Sequence, residues 1–168
     1  MKEEQIMLYV IIIVAIVAAE TKIKNYIDQN MKLGEHKKIL NGKIILSKHY
    51  NSGMFLNFME DKKEMVKTVS GVFLGFLLLL LAVFLPKKGH KLFKLGMSFV
   101  LGGATSNVSD RVRKGHVVDY FSFNGKSKNL NRIVFNLSDM FIFLGSALIV
   151  IAGFFSGKGS SLLHETKE

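Results

Sequence analysis

Four apolar runs separated by charged stretches constrain this chain more than any other feature. They are "IMLYVIIIVAIVAA" (6–19), "VSGVFLGFLLLLLAVFL" (69–85), "LFKLGMSFVLGGATSNV" (92–108) and "FNLSDMFIFLGSALIVIAGFF" (135–155). In a bilayer the backbone must satisfy its own hydrogen bonds, so such runs are read as spanning helices. The first run is short, yet the "MKEEQ" ahead of it lacks the positive character of a cleaved signal. It reads as a retained helix continuing through Glu20, Lys24 and Ile27, with its charged end at the interface. The second stops at Pro86, which cannot continue a helix without losing a backbone hydrogen bond. Within it, Gly71 and Gly75 form a small-residue face suited to packing against a neighbour. The fourth extends back to about Ile133, giving a rise of about 34 Å at 1.5 Å per residue. The expected spans are about 6–27, 67–85, 90–108 and 133–155.

Composition agrees with this reading. Of 168 residues 49% are hydrophobic, and there is one proline. That favours a mainly α, small polytopic membrane protein with one domain, residues 1–168. No cysteine is present, which excludes disulfides and thiolate metal sites. The five histidines lack the short spacing of a zinc site, so neither metal nor cofactor is expected. The net charge is +10, but no basic stripe carries interleaved stacking aromatics. Basic residues beside apolar spans suit anionic headgroups, so membrane lipids are the expected partners and nucleic acid is not.

Between the first two spans, roughly 28–62, "KIILSKHY" (43–50) is rich in β-favouring residues and bounded by "NG" and "NSG" turn signals. A short sheet on the membrane surface is expected there. The tight "KKGHK" loop (87–91) makes spans two and three an antiparallel hairpin. Lys and Arg number 7 on one side (1–5, 86–94 and the tail) and 16 on the other (20–67 and 109–134). The positive-inside rule would put the larger count in the cytoplasm, but a folded surface segment weakens the rule, so charge alone leaves the orientation open.

Two polar clusters interrupt the apolar pattern: "SNVSDRVRKGHVVDYF" (106–121) and "FNLSD" (135–139). If the third helix runs on, Asn107, Asp110 and Arg111 share one face; Asn136 and Asp139 are likewise i and i+3. Asp139 stands out, since a carboxylate at the centre of a spanning helix costs roughly 2.5–3.5 kcal/mol and usually serves chemistry or transport. The connection between the spans can bring Asp119 and Asp139 face to face. Two carboxylates in a low-dielectric place cannot both ionise easily, and one held protonated beside one ionised is a device for activating water. Other readings stand beside this. Asp139 could be an ion-pair partner for Arg111, Arg113 or Lys24; Asp110 next to Arg111 reads as an orienting pair, and Glu20 with Lys24 as a helix-end pair. Ser138 reads as a packing residue. A non-catalytic protein binding lipids or lipoproteins, or a proton relay through Asp139, are the alternatives to an enzyme.

The blocks "GGATSNVSDRVRKGHVVDYFSF" and "FNLSDMFIFLG" resemble the two signature blocks of signal peptidase II, G-G-A-x-G-N-x-x-D-R-x-x-x-G-x-V-V-D-[FY] and F-N-x-A-D. Gly102, Gly103, Ala104, Asn107, Asp110, Arg111, Gly115, Val117, Val118, Asp119, Phe135, Asn136 and Asp139 carry the match. The resemblance implies four transmembrane helices with a small extracytoplasmic β-sheet cradle between helices 1 and 2. It implies an intramembrane aspartic endopeptidase that removes signal peptides from prolipoproteins before a diacylglyceryl-cysteine, with Asp119 and Asp139 catalytic and no cofactor. Asn51, Gly53, Asn107, Arg111 and Asn136 would support dyad and substrate, with Asp110, Glu20 and Lys24 structural nearby. A monomer in the bacterial cytoplasmic membrane, both termini cytoplasmic and the site near the outer face, completes the expectation. The chain departs from the pattern at Glu20 (for Asp), Thr21 (for Gln), Ser106 (for Gly) and Ser138 (for Ala). It also carries the bulky Met54 and Phe55 where small residues are usual. A catalytically divergent relative that only binds lipoproteins or lipids is the alternative within the resemblance.

Overall fold

The computed structural model describes residues 2–53, 58–125 and 130–161. Met54 and Phe55 lie outside the described residues. The elements run α1 (Lys2–Asn30), β1 (His36–Ile39), β2 (Ile44–Asn51), α2 (Lys63–Phe84), α3 (Lys91–Lys114), β3 (Val117–Phe123) and α4 (Leu137–Ser161), with short 3-10 turns at Glu60–Lys62 and Leu130–Arg132. Three helical stretches have the length and apolarity of membrane spans: Glu3–Asn30, Glu60–Phe84 and Leu137–Phe155, with mean hydropathies of 2.3, 2.3 and 2.1. Helix α3, at 24 residues, is long enough but too polar to join them. Its Lys91, Lys94, Asp110, Arg111, Arg113 and Lys114 lower the average. The expectation of four apolar spans is met for three.

The reason lies in the packing. α3 sits against each of the other three helices. Gly96, Met97, Ser98, Val100, Leu101, Gly102, Gly103, Ser106 and Asn107 are all buried along it. Lys94, Ser98, Ser106 and Asn107 therefore face protein, where partners exist, and the exposed Lys91 and Arg113 stand at the helix ends. The other helices turn large apolar side chains outward, among them Leu8, Ile11, Val14, Phe73, Phe76, Leu79, Leu144 and Phe154. Leu77, Leu81, Met97, Val100 and Leu101 form the interhelical core.

The α3–α4 seam is backbone against backbone. A Cβ placed on Gly96 would lie 2.7 Å from the Gly145 carbonyl oxygen, and one on Gly145 would lie 2.5 Å from that of Gly96. At Gly103 a Cβ would collide with the Ser138 carbonyl. Small residues at these crossings let two helices close to van der Waals contact. Gly71 and Gly75 do not serve this purpose: a Cβ at either meets nothing within 4 Å, so the expected packing face on α2 has no neighbour among the described residues.

Pro86 ends α2 as expected, and the loop to α3 is short. Three boundaries differ from the sequence reading. α1 runs from Lys2 to Asn30 as one helix. α3 continues to Lys114 and stops at Gly115, whose φ of 77° provides the left-handed cap that a Cβ would disfavour. α4 starts at Leu137, not near Ile133, because Phe135 is engaged in a bridge to Phe121 and Asn136 caps the helix.

The sheet is antiparallel, in the order β1-β2-β3. The segment between α1 and α2 supplies only two of its strands, and the third comes from the stretch after α3. That corrects the expected cradle of 28–62. In the register His49 faces Asp119 and Asn51 faces Val117. Alternation then divides β3 between two environments. Val118 and Tyr120 pack on Ile27 of α1 and Met31 just beyond its end. Val117 and Asp119 point the other way, toward the end of the helix bundle.

Candidate active site

On that side of the sheet lies a cavity of about 260 Å³. Its polar wall is Asn51, Asn107, Arg111, Asp119, Asn136 and Asp139; its apolar wall is Val117, Val134, Phe135, Ile142 and Phe143. β2, β3, α3 and the start of α4 all contribute. The structure thus brings both sequence-predicted carboxylates and their predicted amide neighbours to one place.

Asn136 ties the two acids together. Its side-chain Nδ2 donates to Asp119 Oδ1 at 2.6 Å. Its Oδ1 accepts from the Asp139 backbone N–H at 3.0 Å, while its own N–H donates to Asp139 Oδ2 at 3.0 Å. The last two bonds form a reciprocal capping box, in which a helix's first residue and the one three positions on satisfy each other's backbone donors. So "FNLSD" is at once a helix start and a carboxylate clamp. A negative charge in the first turn is also favoured by the helix dipole, which offsets part of the cost that makes Asp139 conspicuous in the sequence.

The remaining carboxylate oxygens are held as well. Asn51 Nδ2 donates to Asp119 Oδ2 at 3.0 Å, and Asn107 Nδ2 donates to Asp139 Oδ1 at 3.0 Å. Asn51 is fixed in turn, its Oδ1 accepting from the Gly53 N–H at 3.1 Å. The Gly53 carbonyl accepts from Arg111 Nη2 at 2.7 Å. Asp119 is only 4% exposed. Burial, reinforced by the nearby Asp139 carboxylate, raises its pKa to about 7, against the opposing pull of the Asn51 and Asn136 amides.

Behind this wall Glu20, Lys24 and Asp110, which the resemblance implied to be structural near the site, form a buried polar cluster. Lys24, expected at an interface beside Glu20, is 1% exposed, and Glu20 is fully buried. The Lys24 ammonium lies 3.8 Å from Glu20 and 2.9 Å from Asp110, and donates to Asn107 Oδ1 at 2.8 Å and Ser106 Oγ at 3.1 Å. By occupying the Asn107 oxygen, Lys24 leaves the amide nitrogen to face Asp139. Asp110 pairs with Lys24 and, at 3.7 Å, with Lys114. It does not form the expected pair with Arg111, because successive residues of a helix point about 100° apart.

Tyr120, absent from the sequence-predicted set, completes the cluster. Its hydroxyl donates to Glu20 Oε2 at 2.9 Å and accepts from the Leu137 N–H at 3.0 Å. Glu20 Oε1 accepts from the Ser138 N–H at 3.2 Å. The three leading N–H groups of α4, orphaned in any helix, thus find Tyr120, Glu20 and Asn136. Ser138 is buried against α3, as a packing residue should be. Nothing in the sequence reading pointed to Tyr120: its place directly after Asp119 turns it to the opposite face only once the segment is known to be a strand. Among the described residues, no group of three or more His, Asp or Glu is arranged to hold a metal ion.

Fold and site together define a multi-pass helical membrane protein with a paired-carboxylate pocket roofed by a small sheet. A family profile described as signal peptidase (SPase) II matches residues 12–155. The chain is 31% identical over 142 residues to a protein named lipoprotein signal peptidase from Mesorhizobium japonicum, covering 84% of this chain and 82% of that one. Its fold resembles a bacterial membrane enzyme solved by the in meso method at 2.3 Å resolution, with a TM-score of 0.78, 24% identity and 90% of each chain covered. A second such enzyme, at 1.9 Å resolution, gives 0.71 and 25% identity over 86% of this chain and 91% of that one. The chain belongs to the signal peptidase II family, and is therefore a membrane protease of that family.

Proposed function

We propose that the chain is an aspartic endopeptidase acting within the membrane. It removes signal peptides from prolipoproteins by cutting before a cysteine that carries diacylglyceryl. One observation carries the reading: Asp119 and Asp139 line one buried pocket and are joined through the single side chain of Asn136. Relatedness to a lipoprotein signal peptidase supports the substrate class.

In this mechanism the pair shares one proton. The ionised carboxylate takes a proton from water as its oxygen attacks the scissile carbonyl carbon, and the protonated carboxyl donates toward the developing oxyanion. Collapse of the tetrahedral intermediate breaks the C–N bond, and the proton taken from water goes to the departing amine. Asn51, Asn107 and Asn136 keep the acids aligned. Arg111 and Gly53 fix the loop beside the cleft, and the apolar wall of Phe135, Ile142 and Phe143 accommodates the lipidated, apolar substrate. All of residues 1–168 act as one domain in which α3 crosses the bilayer inside the bundle as a fourth span. Both termini lie in the cytoplasm of a bacterial cell, and the pocket opens near the outer face.

The test is cleavage of a diacylglyceryl-modified precursor by purified protein and its Asp119→Asn and Asp139→Asn variants. Each variant is expected to accumulate normally and lose cleavage. Full activity in either ends the proposal, and binding of a lipopeptide without any cleavage by the parent protein favours a lipoprotein-binding relative instead.

A further inference from the structure

The larger cavity is elsewhere. At the opposite end of the bundle a groove of about 750 Å³ lies between the end of α2, the loop to α3 and the end of α4. Phe84, Phe93, Ile149, Ala152 and Phe155 give it an apolar floor, and His90 and Lys91 stand at its rim. The candidate span in α2 ends here at Phe84, and the apolar sequence of α4 gives way to "SGKGSS" after Phe155, which places the groove at the depth where hydrocarbon gives way to headgroups.

The loop that forms the rim is basic. Residues 86–94, "PKKGHKLFK", carry four lysines and no acid. Two of the lysines already have partners. Lys94 is buried and donates to the Leu85 carbonyl at 3.1 Å and the Lys87 carbonyl at 2.5 Å, closing the hairpin. Lys87 lies 4.3 Å from the centroid of the Phe84 ring. Lys88 faces a separate, smaller cavity lined by Gln5, Ile6 and Tyr9 of α1, whereas Lys91, on the groove's rim, is exposed with no carboxylate partner among the described residues. Glu3 and Glu4 belong to α1, none of whose residues lines the groove.

An apolar trough of this size with the Lys91 ammonium and the His90 ring at its rim is complementary to a phospholipid of net negative charge, its acyl chain on the floor and its phosphate at Lys91. We propose that this groove is a site for an anionic phospholipid, distinct from the carboxylate pocket. Such a molecule would pack the gap between α2 and α4, which α3 alone bridges at this end.

The experiment uses the purified full chain with equimolar dioleoylphosphatidylglycerol and dioleoylphosphatidylcholine, reading retained lipid by native mass spectrometry. The anionic lipid is expected to predominate, and the preference to fall by roughly fivefold in Lys91→Gln. Lys37→Gln on β1, removing equal charge from the sheet, is expected to leave the preference intact. Gly153→Phe, which fills the trough without touching the lysines, is expected to abolish retention. Equal retention of the two lipids overturns the proposal, as does a preference that survives Gly153→Phe. Anionic-lipid retention that emerges only after residues 156–168 are deleted also overturns it, because the chain's own tail would then be the occupant.

Discussion

At the scale of single residues, the acid pair has a consequence in pH. With Asp119 raised to about 7, the proton that the proposed mechanism has the pair share would be held below that pH and lost above it. Above it both carboxylates are charged and the donor toward the carbonyl oxygen is gone. The rate of precursor cleavage is therefore expected to fall as pH rises past about 7. Asn51 donates to Asp119 and so favours its ionised form; Asn51→Ala is expected to move the alkaline limb to higher pH, readable in the pH–rate profile. Lys24 makes a different prediction. Replacing it with Met leaves Glu20 and Asp110 without their buried counter-charge, a loss of about 3–5 kcal/mol where such pairs are broken from one side. A lower thermal midpoint in detergent checks it, and Lys37→Met, at an exposed pair with Glu35, is expected to change little. Single residues also mark the limit of what a sequence discloses. Asp119, Asp139, Asn107 and Asn136 were legible because polar clusters that interrupt apolar runs need a reason. Asn51, Glu20 and Lys24 were reached only through the family resemblance, and the residues alone gave Glu20 and Lys24 as a helix-end pair. Four apart on a helix, they look like any surface pair, and only contact with Asp110 and Tyr120, the latter 100 positions from Glu20, turns them into a buried hub.

At the scale of elements, helix α3 decides the site by how closely α4 approaches it. The contact of Gly103 with the Ser138 carbonyl fixes the first turn of α4 against α3, one helical turn from Asn107, and the Gly96–Gly145 crossing holds the rest. Gly103→Val and Gly145→Val are expected to spread the seam, abolish cleavage and lower the thermal midpoint. Gly71→Val and Gly75→Val, where the added atoms meet open space, are expected to change stability by less than about 0.5 kcal/mol. The sequence read these glycines the other way round, giving the packing role to α2. A small-residue spacing says that a close approach is permitted, and says nothing about which neighbour arrives. The strand β3 was hidden for a related reason: "VVDYF" draws the eye to its aspartate, while its role as third strand depends on β2, which lies far away along the chain.

For the whole molecule, charge counting left the orientation open, and the proposed topology makes a direct prediction. Because the chain has no cysteine, single cysteines can be introduced and probed with a membrane-impermeant maleimide in intact cells. Cysteine at Lys37, on the sheet, is expected to react from outside. Cysteine at Lys88, in the hairpin, is expected to react only after permeabilisation. The reverse pattern would invert the molecule and remove the stated side of action. Four helices and the hairpin were readable from hydropathy and Pro86. The polarity of α3 was readable too, though not its meaning, since a helix enclosed by three others can carry what a lipid-facing one cannot.

The capping box at Asn136 and Asp139 has a temporal implication. The bonds that begin the last helix are the same bonds that orient one acid and tether the other, so neither acid is armed while the carboxy-terminal quarter of the polypeptide is still being made. On the proposed mechanism, a partly synthesised copy threaded into the bilayer poses no hydrolytic threat to its neighbours, and folding of the last helix is itself the safety catch.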